Sequence, residues 1–200
     1  MHGRDAFYNG KLTEVMVKFL QSQGGTHTLE DFRDFQPDWV EPISTTYHGW
    51  TVSELPPNGQ GIAALSMLNI MEHFPLAQYG HNSADALHVL IEAKKLAYAD
   101  MHRYVGDPRF GPIPVKEMLS KDLGARRAKL IQTDRAACTV LPSELTEKLN
   151  SHGNSTIYLS TIDRDGNIVS LIQSNYAGYG TGMVAPGTGF PFKTEEIFLK

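Results

Sequence analysis

Two hundred residues, 41% hydrophobic and 20% charged, give a chain of ordinary domain size and soluble composition. Eighteen Lys and Arg against 22 Asp and Glu leave a formal charge of −4, which excludes the basic footprint of a nucleic-acid binder. The single cysteine, Cys138, excludes an internal disulfide and a thiolate metal site. No run approaches the roughly 18 apolar residues of a membrane span. The start MHGRDAFYNG lacks the basic-then-apolar layout of a signal peptide, so the expected location is the cytoplasm, or an exported one if a signal precedes Met1.

Thr13 as an N-cap, apolar Val15, Val17, Phe19 and Leu20, and a Gly24-Gly25 stop predict a short helix. Thr28 and Asp31 form a capping box before Phe32 and Phe35. The period then changes: Ile43, Thr45 and Tyr47 alternate up to His48-Gly49, and Trp50 and Val52 alternate after it, the pattern of a hairpin. Beyond the turn cluster Pro56-Pro57-Asn58-Gly59, the residues Ile62, Leu65, Met67, Leu68, Ile70 and Met71 predict a helix buried on much of its surface.

After Asn82-Ser83, the residues Leu87, Leu90, Ile91, Leu96 and Ala97 mark one broad apolar face of a helix of about five turns, ended by Gly106-Asp107-Pro108. Residues 115–131 predict one or two weaker helices, and 132–153, polar and without period, an exposed connector. Strand chemistry follows: 156–162 and 168–172 are β-rich runs joined by Asp163-Arg164-Asp165-Gly166-Asn167, a second hairpin. Thr156, Tyr158, Ser160 and Ile162 share one face of its first strand. Gly178 through Gly189 reads as a glycine-rich loop. Helices first and strands last imply an α+β fold, and two hairpins alone make too thin a sheet to stand without further strands.

Three motifs invite chemistry and fall to plainer readings. Gly180-Thr181-Gly182-Met183-Val184-Ala185 fits G-x-G-x-x-A, but Pro186-Gly187 stands where a dinucleotide site needs the first turns of a helix. His88 and Glu92, with Asp100 and His102 farther along the same helix, suggest a metal; no further ligands stand out by spacing, and a histidine and carboxylate one turn apart more often make an ordinary hydrogen bond. Asn154-Ser155-Thr156 is a glycosylation sequon only in a secreted protein. Thr156 itself, at the junction of connector and strand, is on its own just a β-branched residue opening a strand.

An ordered set of segments adds more. Gly3-Arg4-Asp5-Ala6-Phe7-Tyr8-Asn9-Gly10, Gly24-Gly25, Tyr47-His48-Gly49-Trp50, Pro56-Pro57-Asn58-Gly59-Gln60-Gly61, Glu92 through Asp100, Val105-Gly106-Asp107-Pro108, Thr156 through Asn167 and Gln173-Ser174-Asn175-Tyr176 occur in this order. With them the whole chain resembles the γ-glutamyltransferase family, N-terminal nucleophile hydrolases made as one precursor that cuts itself into a large and a small subunit. The resemblance implies that 1–155 is the late large-subunit region, helical with one hairpin and a processing connector, and that 156–200 opens the small subunit. It implies the αββα four-layer sandwich of that superfamily, with no cofactor and no metal.

The resemblance also implies that Thr156 is the nucleophile and that the Ser155-Thr156 bond is cut during maturation. The freed α-amine, with a reference pKa of about 7.7 to 8.0, then serves as general base for its own hydroxyl. Ser174 stands where typical members carry a second threonine supporting the nucleophile. Tyr176 stands where they carry an asparagine that holds the γ-glutamyl group, and a phenol cannot copy an amide's paired donor and acceptor. Gln-Ser-Asn-Tyr looks like a bacterial subgroup that includes an oxamate amidohydrolase and cephalosporin-acylase-like proteins. The expected partners are a small amide substrate and the other segments of both subunits. The family's substrate-binding arginine lies before Met1 and its oxyanion glycines after Lys200, so the isolated chain is expected to turn over little or nothing; a truncated fragment with only a packing role is the alternative.

Overall fold

The computed structural model describes residues 3–145, 157–174 and 179–193. Contacts divide the chain into two units, Met1–Asp38 with Gly153–Lys200, and Trp39–His152.

The first unit opens with helices α1 (Asp5–Tyr8), α2 (Lys11–Ser22) and α3 (Leu29–Arg33). The N-cap of α2 is Gly10, not Thr13. Thr13 is 1% exposed, and its hydroxyl donates to the Phe7 carbonyl, so the threonine ties α2 back to α1 instead of starting the helix. Gly24 (φ +87°) ends α2: its N–H reaches the Gln21 carbonyl at 3.0 Å and that of Gly25 reaches Leu20 at 2.8 Å, a Schellman closure needing a left-handed residue. The Thr28–Asp31 capping box of α3 is formed in both directions, at 3.3 and 2.7 Å.

The later part of this unit is the antiparallel hairpin β3 (Ile157–Ile162) and β4 (Ile168–Gln173), in register from Ile157–Gln173 to Ile162–Ile168. Asp163 builds its turn alone, its carboxylate accepting the N–H groups of Asp165 and Asn167 and the Asn167 amide, each at 2.9 Å. Residues 179–193 then fold on themselves. Val184 bridges Pro191, Thr181 N–H donates to Phe192 at 2.9 Å, and Ala185 is fully buried. Gly180 and Gly182 take positive φ and no helix follows among the described residues to 193, so the G-x-G-x-x-A stretch presents no helix N-terminus for a pyrophosphate. Phe190 and Phe192 lie 6.1 and 6.3 Å from Phe7 and Phe19, fastening the loop to α1 and α2.

The second unit holds the hairpin β1 (Ile43–Tyr47) and β2 (Trp50–Glu54), then α4 (Gly61–Met71), α5 (Leu76–Tyr79), α6 (Ala84–Tyr104), α7 (Val115–Met118) and α8 (Lys121–Ala128). The β1–β2 turn puts both His48 and Gly49 at positive φ, the handedness that matches strand twist. Apolar on nearly all sides, α4 is the centre: Ile62, Ala63 and Leu65 are fully buried, and Ile70 packs with Val89, Leu96 and Ala97 of α6 and Ala128 of α8. Two polar residues of α4 are buried with partners. Ser66 donates to the Met118 carbonyl at 3.2 Å. Asn69 accepts from the Thr45 hydroxyl at 2.6 Å and donates to the Leu119 carbonyl at 3.0 Å, linking β1 and the α7–α8 turn.

At Gly124, α8 comes closest to α4. A Cβ there would lie 2.8 Å from the Asn69 carbonyl oxygen and 2.9 Å from its Cβ. Alanine at 124 would gain about 1 kcal/mol of helix propensity, but it would have to push two backbones apart, a cost of about 1–3 kcal/mol. We expect Gly124→Ala to lower the denaturation midpoint; an unchanged or raised midpoint in a urea titration would refute the close approach.

The apolar face of α6 differs from the one the sequence predicts. Leu87 and Ile91 are 43% and 54% exposed, whereas Glu92 and Asp100 are each 3% exposed. Polar residues take inner positions because the segment after α8 lies against them.

Candidate active site

Of the residues proposed to carry chemistry, the structure describes one, at the end of the β3–β4 ladder. Ser155, Thr156 and Tyr176 lie outside the described residues. Ser174 is described: it is half-buried and directly follows Gln173, whose partner across the ladder is Ile157. The turn at the far end is held by an ionised Asp163, which the Asn167 side-chain amide, helped by the Asn167, Asp165 and Gly166 N–H groups, keeps below the usual aspartate range.

Upstream of that ladder, the segment from 132 to 145 has no regular structure, and most of its side chains are exposed, yet its course is fixed by α6. His88 Nε2 meets the Gln132 carbonyl at 2.7 Å. Lys95 Nζ donates to Glu92 Oε1 at 2.6 Å and to the Ala137 carbonyl at 2.9 Å, while Ala137 N–H donates to Glu92 Oε2 at 3.2 Å. About two helical turns beyond Glu92, Asp100 accepts from the Ser143 N–H and, at 3.1 Å, from its hydroxyl. Tyr104 donates to the Ser143 carbonyl and accepts from Leu145 N–H at 2.8 Å. A cavity of about 730 Å³ lies between α6, α8 and this segment, lined by Leu96, Leu123 and Val140 among others.

Asp100 is locked by Arg127 of α8, with side-chain exposures of 4% and 6%. The guanidinium is bidentate, Nε to Oδ2 at 3.0 Å and Nη2 to Oδ1 at 2.7 Å, and also donates to the carbonyls of Leu96 at 2.9 Å and Leu141 at 2.8 Å. Burial pushes the Asp100 carboxyl above its ordinary value against the pull of Ser143 and Arg127, and burial likewise draws Arg127 down against the pull of Asp100. Satisfied on every oxygen, this pair fixes where α6, α8 and the connector meet.

Glu92 behaves in the opposite way. Burial would raise its carboxyl, but Lys95, the Ala137 N–H and the nearby charge of His88 together hold it below the ordinary 4.5. Its folded pKa is therefore below its unfolded one, so this anchor stabilises the fold above pH 4.5 and is lost as pH falls through the depressed value. The expected result is that hydrogen-exchange protection of the Ala137 amide, corrected for intrinsic rates, declines on that acid limb. Protection that stays flat would rule the anchor out.

The four residues that suggested a metal are thus used otherwise. His88, Glu92 and Asp100 bind backbone or cations of the protein, and the His102 ring sits edge-on to Tyr98 at 5.8 Å. Among the described residues no three His, Cys, Asp or Glu converge to hold an ion. Sequence reasoning missed Lys95, Tyr104, Arg127 and Ser143 as a network. Its one trace is the spacing of His88, Glu92, Asp100 and Tyr104 at multiples of four along α6.

A model of the gamma-glutamyltranspeptidase family matches residues 1–197, nearly the whole chain. The chain belongs to the gamma-glutamyltranspeptidase family. Similar members include the glutathione hydrolase-like YwrD proenzyme of Bacillus subtilis, 37% identical over 197 residues, which are 98% of this chain and 36% of the relative. The glutathione hydrolase proenzyme of Escherichia coli is 35% identical over 191 residues, 94% of this chain and 32% of the relative. Among solved structures, a cephalosporin acylase from Bacillus halodurans superposes with a TM-score of 0.78 at 42% identity, over 94% of this chain and 33% of that one. The chain spans about a third of the length of the curated family members it matches. The α+β character expected from the sequence is the character of the described elements.

Proposed function

We propose that this chain is the middle of a longer proenzyme of the gamma-glutamyltranspeptidase family that cuts itself between Ser155 and Thr156 and then hydrolyses or transfers the acyl group of small amides. The family match across residues 1–197, which takes in the whole connector and the strand that follows it, carries this reading. The cut divides 1–155 from 156–200.

The chemistry follows from a hydroxyl placed after a long connector. Thr156 Oγ attacks the Ser155 carbonyl carbon, its proton passes to the departing Thr156 nitrogen, and the amide becomes an ester. Water then opens the ester, returning the hydroxyl and leaving a carboxylate on Ser155. The new α-amine, with a pKa of about 7.7 to 8.0, is partly unprotonated at neutral pH and takes the hydroxyl proton when Thr156 attacks a substrate amide. The substrate's amine leaves, an acyl-enzyme forms, and water or a second amine collects the acyl group. Ile157, the residue after Thr156, pairs with Gln173, the residue before Ser174. That supports a helper role for the Ser174 hydroxyl.

Tyr176 in place of an asparagine, together with 42% identity to a cephalosporin acylase, favours a second reading within the same chemistry: an acyl donor other than a γ-glutamyl group, of oxamate or cephalosporin-acylase type. An inert fragment is the reading from another class. The chain's own surface supports partner segments in either enzyme reading, since Trp50 and Phe110 are 78% and 83% exposed. We propose that those segments complete an αββα sandwich and supply the substrate arginine and oxyanion donors, so that this portion alone turns over little. We place the protein in the cytoplasm unless a signal precedes it. Intact-mass measurement of the full-length protein tests the proposal: two fragments meeting at Ser155/Thr156 support it, and a single uncut chain refutes it.

A further inference from the structure

The two edges of the β1–β2 hairpin differ. His48 and Gly49 of its turn both take positive φ, and Tyr47 pairs with Trp50 across it. A two-residue turn of that hand closes on a hydrogen-bonded pair, and bonded pairs alternate from there. Tyr47–Trp50, Thr45–Val52 and Ile43–Glu54 therefore exchange bonds inside the ladder, while Thr46–Thr51 and Ser44–Ser53 turn their N–H and C=O groups outward. Thr46 agrees with this phase, because its carbonyl accepts from Lys121 Nζ of α8, outside the hairpin. Glu72, just past α4, accepts from the same lysine at 2.6 Å and from the His48 N–H at 3.3 Å. A lysine thus guards the outer edge of β1, as lysines commonly do at strand edges. β2 has no such guard. Among the described residues nothing bonds to the outward groups of Thr51 and Ser53, and Trp50 through Ser53 contain no charge and no proline. Thr51 and Ser53 are exposed, and Trp50 beside them is 78% exposed.

We propose that the outer edge of β2 is an interaction edge, completed by a strand of the same polypeptide from outside residues 1–200 that bonds to the main chain of Thr51 and Ser53. The inference rests on the longer precursor proposed above and not on its cleavage. An unguarded edge is a template for a further strand, and main-chain bonds supply the attachment. Side chains fix the kind of strand. Every second residue of the newcomer falls on the face that Trp50 and Val52 share, and the others fall beside Thr51 and Ser53. The fitting sequence therefore alternates, with apolar residues against Trp50 and the half-buried Val52 and uncharged polar residues on the hydroxyl side. A charge next to Val52 would lose water and gain no partner. Two observations favour this occupant over a second copy of the chain. The chain spans only 36% and 32% of two curated relatives, so most of such a protein lies outside these residues. Antiparallel pairing of two β2 strands with Thr51 facing the copy's Ser53 would also set the Glu54 carboxylate of one against Trp50 of the other.

Residue-resolved hydrogen exchange on the full-length wild-type protein, taken as monomer, is the test. Thr51 and Ser53 are the informative amides, since Val52 and Glu54 bond to β1 whether or not a strand is added. The expected result is exchange at Thr51 and Ser53 slowed on the order of 100-fold or more relative to free amides. Free-amide rates at both, beside a protected Val52, would overturn the proposal. Protection confined to a dimer would overturn it too, since a second copy would then be the occupant. Proline gives an independent reading. Ser53→Pro deletes one outward N–H and leaves the β1–β2 ladder whole, a change that a bare edge tolerates and a paired one does not. Ser44→Pro makes the same change at the other edge of the same pair. Ser53→Pro is expected to lower Tm more than Ser44→Pro, and equal falls would count against the added strand. If the wild-type protein is not cut at Ser155-Thr156, the functional reading fails, while exchange at Thr51 and Ser53 still decides this inference.

Discussion

Thr156→Ala in the full-length protein is expected to leave one uncut chain without measurable amidase activity. The substitution removes a single oxygen and a methyl group, but it ends two reactions. On the proposed role, without the hydroxyl nothing attacks the Ser155 carbonyl, so no α-amine is released, and the nucleophile for substrate is absent as well. Hydrolases that lose their nucleophile fall on the order of 10⁶-fold in kcat, and the same scale is expected here. Thr156→Ser, which keeps the oxygen, should still be cut. Fragment masses and the release of ammonia or amine from a γ-glutamyl or related amide read the two events separately. An alanine variant that is cut and active would end the nucleophile assignment.

The largest effect on stability is expected at Arg127. Replacing it with methionine keeps the stem and leaves the Asp100 carboxylate buried without its cation, a loss of about 3–5 kcal/mol when one partner of a buried pair is removed. In a domain of this size that corresponds to a fall of roughly 6–20 °C in Tm. The sign of the pH effect follows from Asp100. Its folded pKa already lies above the ordinary 3.8 through burial and rises further without the guanidinium, so the variant's deficit should be full at neutral pH and shrink as pH falls toward 3.8. Replacing both partners with apolar residues should recover part of the loss. Denaturant titrations at two pH values decide it: a deficit under about 1 kcal/mol, or one that grows in acid, contradicts the pair's role.

The elements that rest on local chemistry were legible in the sequence. Both hairpins follow from alternation broken by a turn, with His48-Gly49 at one and Asp163 through Asn167 at the other, and both form around those turns. The capping box at Thr28 and the glycine stop at Gly24 are likewise one-turn signals. What was not legible depends on segments distant in the chain. Thr13 looks like a helix start, but the helix begins earlier because Gly10 already provides the extended residue before Lys11. Glu92 and Asp100 break the apolar face of α6 on paper, and they are buried because a strap more than 35 residues later supplies their hydrogen bonds. Of the connector read from composition over 132–153, the described part, 132–145, is mostly exposed in its side chains and held by its backbone, and the rest lies outside the described residues. Thr156 carries no physical mark of its own beyond its place before a strand, which is why family resemblance was needed to single it out.

The turn at Asp163 has a consequence for the order of events in a nascent chain. One aspartate gathers its partners from within four residues, so this hairpin can zip from its tip in microseconds, long before residues a hundred positions apart find each other. The strand that begins just after Thr156 would then be in place early, ready when slower assembly brings the remainder of the protein to it.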